Sequence, residues 1–141
     1  MWNMFITNEY SWSFELDGMT TSHSIKADVQ TSDEADEVFD AISYCKCASV
    51  IRMLQGYLVE EIFRQGLIKY SNNFRYSNAI ATDLWNYLGK QKGIPVATIM
   101  SSWTIEQGFP VVSASRNGDK LILIQIRHLS SRKLTPEQVR F

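Results

Sequence analysis

Few side chains in this sequence have the types and spacing that chemistry requires. His23 has no second histidine or carboxylate at ligand spacing, so it reads as a hydrogen-bonded structural residue rather than a metal ligand. His128 lies too far from it to form a His-Glu-x-x-His pair, and that motif is absent from the chain. Cys45 and Cys47, two residues apart on a helix, point about 200° away from each other. They can neither share a metal nor bridge, and packing is the better account of both. The acidic run Ser32-Asp33-Glu34-Ala35-Asp36-Glu37 suits a helix N-terminus with a solvated face. What remains is a phenol. Ser43 stands where an N-cap belongs, which makes Tyr44 the first residue of a helix. Its ring then leaves from the helix end, where a cleft can reach it, as a proton donor on a rigid element.

The elements around Tyr44 follow from periodicity. Cys47, Val50, Ile51, Leu54 and Leu58 recur at steps of three and four, one face of a helix that continues to about Leu58. Gly56 within it costs about 1 kcal/mol relative to alanine. Upstream, residues 2–18 form a helical pattern with Trp2, Phe5, Ile6, Tyr10, Ser13 and Leu16 near one face and Gly18 as its stop. Trp12 and Phe14 fall off that stripe, so the helix is expected to be buried among neighbours. A polar connection covers residues 19–33. Downstream, residues 60–73 carry Phe63, Leu67 and Tyr70 on one face and end at Asn72-Asn73. Thr82 or Asp83 is expected to cap a short helix bearing Leu84, Trp85 and Leu88 and closed by Gly89. After a loop over residues 90–93, Pro95 opens a helix carrying Val96, Ile99, Met100 and Trp103, closed by Gly108. The period then changes to two. Residues 109–114 and 120–127 read as strands joined through Arg116-Asn117-Gly118-Asp119, and the tail from Ser130 to Phe141 is polar and loose.

Composition bounds the partners. The 141 residues suit one ordinary domain, and 45% hydrophobic with 21% charged is a globular profile. A net charge of −1 gives no electrostatic footprint for nucleic acid. The longest apolar run, Leu121-Ile122-Leu123-Ile124, is far short of a membrane span. Met1-Trp2-Asn3-Met4-Phe5 lacks the basic and apolar regions of a signal peptide, and two closely spaced cysteines make no disulfide framework. These features point to a cytoplasmic protein without a nucleic-acid or membrane partner. A core helix that starts at Met1 and a lone hairpin, marginal by itself in water, suggest a chain cut at both ends.

Four ordered blocks carry a resemblance. They are Ser22-His23-x-Ile25; Ile42-Ser43-Tyr44-x-Lys46-x-Ala48-Ser49-Val50-Ile51-Arg52-Met53-Leu54; Asn78-Ala79 with Asp83-Leu84-Trp85; and Trp103-Thr104 with Gly108-Phe109-Pro110-Val111. Together they resemble the gluzincin aminopeptidases, of the puromycin-sensitive and alanyl type, up to about Ala114. The chain departs from that pattern at Ser24, where the family has proline, and at Cys47, where it has glycine. The resemblance implies a mainly α fold. Residues 1–108 would be the helical second half of a thermolysin-like catalytic domain, and 109–141 would be the first strands of a following β-sandwich and a tail. It implies a zinc-dependent enzyme that removes N-terminal residues from peptides, with Tyr44 as the phenol that stabilises the oxyanion. The family's zinc ligands, its base and its Gly-x-Met-Glu-Asn motif are missing from this sequence. The chain is therefore expected to bind no zinc and to be inactive alone. It could associate with the missing catalytic half or a full-length homologue, or serve as a non-catalytic helical interaction module.

Overall fold

Seven α-helical segments, two π-type stretches and one hairpin are the described elements of the chain, and they are ordered around the helix that follows Tyr44. The computed structural model describes residues 2–91 and 93–131. Lys92 of the expected loop, residues 132–141 of the expected tail and the side chain of Trp2 lie outside them. Helix α4, Cys47–Leu58, buries the expected face: Leu54 and Leu58 are almost wholly enclosed and Val50 nearly so. It meets Trp85 and Leu88 from α6 (Ala81–Lys90) and Val96 and Met100 from α7 (Val96–Ile105). Phe63 and Leu67 of α5, Glu60–Asn73, pack against that cluster. Each such Leu, Val or Met burial removes apolar surface worth about 1.5–3 kcal/mol from water.

Several boundaries differ from expectation for local reasons. Helix α6 starts at Ala81, not after Thr82 or Asp83, because the Asp83 carboxylate reaches back to the Ile80 N–H at 3.0 Å. Gly89 does not close that helix. It lies inside it, where a Cβ would stand 2.5 Å from the Ile94 carbonyl oxygen, so it permits the chain to pass close by. Pro95 sits just before α7 rather than within its first turn. The N-terminal helix is continuous through α1 (Trp2–Phe5), a π-type stretch Ile6–Tyr10 and α2 (Ser11–Asp17), and ends at Gly18 as expected. Its surroundings correct the sequence reading. Met4, Ile6, Trp12 and Phe14 are 48–67% exposed, whereas the residues it buries are Ser13 and Asp17.

The connection from Gly18 is tied down by Lys26 N–H donating to the Thr104 carbonyl at 2.8 Å. A short α3, Ser32–Glu37, follows, with Thr31 Oγ1 accepting from the Glu34 N–H. The chain ends in an antiparallel pair, β1 (Pro110–Asn117) and β2 (Lys120–Arg127), in register Pro110↔Arg127 through Asn117↔Lys120. The described architecture is thus mainly helical with a C-terminal β-hairpin. His128 stacks on Phe109 at 4.9 Å, and Ser130 N–H donates to the Gly18 carbonyl at 2.7 Å, so the hairpin base closes onto the end of α2.

Candidate active-site tyrosine and its supports

Tyr44 lies in the π-type turn Ile42–Lys46 that leads into α4. Such turns widen the backbone by one residue and occur often at functional positions. The ring is 61% exposed and lies beside Phe39, with centroids 6.3 Å apart. Burial therefore spends little of it on the core, and its backbone lies in a fixed turn.

The cap of this helix is not Ser43. Asp40 Oδ1 accepts from the N–H groups of both Ile42 and Ser43 at 2.9 Å, and the Tyr44 N–H donates to the Asp40 carbonyl at 3.1 Å. A carboxylate offers several acceptor sites, so one residue closes the turn, and Tyr44 stands inside it rather than at its first position. The second Asp40 oxygen, Oδ2, lies 2.8 Å from His23 Nε2. His23 Nδ1 is 2.8 Å from the Ser24 carbonyl oxygen. Both ring nitrogens are thus engaged. Partial burial opposes the charge on Asp40, but the Ser43 N–H and His23 outweigh it and hold the carboxyl below its ordinary range.

The far end of the turn is held by charge. Lys46 Nζ lies 2.9 Å from Asp17 Oδ2, and both side chains are nearly enclosed. Asp17 Oδ1 also accepts from Ser22 Oγ at 2.7 Å and from the Gly108 N–H at 3.0 Å. Lys46 completes its shell with the carbonyls of Gly108 at 3.1 Å and Glu106 at 3.4 Å. One buried pair therefore joins the N-terminal helix, the Tyr44 turn and the junction between α7 and the hairpin. None of this network was foreseen from the sequence. The signal available was Lys46 flanked by two cysteines one turn before an apolar stripe, where a solvated lysine would have little room. Between the two, Cys45 is buried, and that burial, with the Glu9 carboxylate beside it, pushes its thiol up to about 11. A cavity of about 370 Å³ opens on the other side of the turn, lined by Tyr10, Phe14, Val50, Met53, Trp103 and Phe109 with Lys46 and Asp17 among them.

Comparison with known proteins shows the family. The Peptidase family M1 domain matches residues 1–103. The chain belongs to this family. It is 50% identical over 131 residues to Aminopeptidase M1 of Arabidopsis thaliana and 48% identical over 131 residues to Aminopeptidase M1-A of Oryza sativa subsp. japonica, in each case 93% of this chain. It is 39% identical over 139 residues, 98% of its length, to "Aminopeptidase 2, mitochondrial" of Saccharomyces cerevisiae. The chain spans about 15% of the length of these relatives. Zinc is the metal expected of this metallo-aminopeptidase family, and the residues here do not fit it. Among the described residues no three His, Cys, Asp or Glu side chains are grouped to hold a metal, and both nitrogens of His23 are taken up by protein oxygens.

Proposed function

We propose that this chain is the part of a gluzincin aminopeptidase that presents the oxyanion-stabilising phenol, Tyr44, to peptide substrates bound by the whole enzyme. The supporting observation is the pinned turn. Tyr44 is exposed at its tip while both flanks of its backbone are fixed, by Asp40 on one side and Lys46 on the other. A donor held in this way needs no reorganisation when negative charge develops on a carbonyl oxygen. On this reading residues 1–108 are the helical second half of the catalytic domain, and the hairpin opens the next domain. The chain alone hydrolyses nothing and works by association with a complementary catalytic half. On this reading the chain works in the cytoplasm.

The test is a chimera in which this chain replaces the corresponding segment of the Arabidopsis relative. The chimera should turn over an N-terminal leucyl or alanyl reporter. Tyr44→Phe should lower kcat by about 10²–10³ with little change in KM. A chimera whose turnover is indifferent to Tyr44→Phe would refute the assignment. A second reading, a non-catalytic interaction module, draws on the exposed Met4, Ile6, Trp12 and Phe14 of the N-terminal helix. An inactive chimera accompanied by stable capture of the full-length relative would favour it.

A further inference from the structure

We propose that His23 is a positioning residue for Tyr44, bound as an imidazolium between the Ser24 carbonyl and the Asp40 carboxylate, so that it fixes the group that caps the Tyr44 turn. The argument is one of hydrogen-bond capacity. A backbone carbonyl oxygen only accepts, and Asp40, with Oδ1 already accepting two N–H groups, is an ionised carboxylate that also only accepts. His23 faces these two acceptors with its two nitrogens, each at 2.8 Å. A neutral ring has one N–H and satisfies one of them. The imidazolium has two and satisfies both.

The charges around the ring agree with this geometry. Partial burial and the nearby Lys46 oppose a charged ring, but the Ser24 carbonyl and the Asp40 carboxylate outweigh them and raise the affinity of His23 for its proton. Lys46 is itself neutralised by Asp17, the last residue of α2, which accepts from Ser22 of the connection. The raised His23 value means its contribution is full below the unfolded imidazole value and is lost as pH rises through the folded one. The lowered Asp40 value means its contribution is full above the unfolded carboxyl value and is lost as pH falls through the folded one. The clamp is whole between those limits. Above them, loss of one proton releases either Ser24 or Asp40.

The experiment is a titration of the full 141-residue chain, labelled with nitrogen-15, that reads the imidazole nitrogens and the amide protection factors together. His128, stacked on Phe109, serves as the internal comparison, and His23→Gln assigns the signals. Below the ordinary imidazole value of about 6.5 both His23 nitrogens should carry protons, and the midpoint should lie above that value. Protection of the Ile42 and Ser43 amides should fall about fivefold as His23 loses its proton, the equivalent of the roughly 1 kcal/mol that a capping contact contributes. A single-tautomer ring below that value, or a midpoint at or below it, overturns the imidazolium. Protection at Ile42 and Ser43 that ignores the His23 titration overturns the positioning role. The role assigned to the phenol rests on the function proposed above, whereas these two readouts do not. Failure of Tyr44→Phe in the chimera and failure of the titration are therefore separate results.

Discussion

Replacing Asp17 with alanine should be among the most damaging single changes available in this chain, and the structure sets its scale. The Asp17 and Lys46 side chains are 2% and 4% exposed, so solvent screens their attraction very little. Removing the carboxylate strands a buried ammonium with only the carbonyls of Gly108 and Glu106 and also orphans the Gly108 N–H. Breaking a buried pair from one side typically costs about 3–5 kcal/mol. A domain of this size has about 5–15 kcal/mol in all, so Asp17→Ala removes a large share of it. The assay is urea unfolding followed by the fluorescence of Trp85 and Trp103, both packed in or against the core. With a slope of about 2 kcal/mol per molar, the midpoint should fall by roughly 2 M. If the single variant is unfolded in buffer, the double variant Asp17→Leu with Lys46→Met decides the matter. It removes both charges together and should regain most of the loss, because an apolar replacement of a whole buried pair is often neutral. An Asp17→Ala midpoint within about 0.5 M of the parent, or a double variant as unstable as the summed singles, would refute the reasoning.

Further outcomes concern the end of α4 and the thiols. Gly56 lies mid-helix, where an added Cβ would meet nothing within 4 Å, while Val59, 56% exposed, has φ 71°, ψ 144°, a region that favours glycine. Gly56→Ala should therefore add about 1 kcal/mol and Val59→Gly roughly 1–2 kcal/mol, both read as a raised urea midpoint, and a lowered midpoint in either counts against the backbone argument. With its thiol pushed up to about 11, Cys45 should react with a disulfide reagent at neutral pH about a hundredfold more slowly than a free thiol, until the chain is unfolded. Native labelling of Cys45 at the unfolded rate would show that it is not enclosed.

Periodicity carried most of the scaffold. The stripe Val50, Leu54 and Leu58 is buried as read, residues 60–73 form one helix, and Lys120–Arg127 is a strand. These readings succeed because burial of apolar side chains at a fixed period is a local signal. The misses share one cause, which is polar side chains acting over distance. Ser43 has the right residue type for a cap, yet Asp40 takes the role because a carboxylate can serve two N–H groups and His23 at once. The N-terminal helix looked like a core element from Trp12 and Phe14, while the residue that anchors it is Asp17. Its partners Lys46 and Gly108 are 29 and 91 positions away, and no window on the sequence holds them together.

Those distant contacts converge on the Tyr44 turn from a single strip of chain. Asp17 holds Lys46 at its exit, Ser22 holds Asp17, and His23 holds Asp40 at its entrance. Residues 17–23 thus grip both ends of a π-type turn whose middle residue is the exposed phenol. The wide backbone of that turn is less favourable than a regular helix and persists where the surroundings over-determine it. Two anchors of different chemistry provide that constraint here. One is a buried ion pair insensitive to salt, and the other is a half-exposed imidazole–carboxylate contact that responds to pH. Loosening the first should unfold the region, whereas loosening the second should leave the fold intact and free only the cap next to Tyr44.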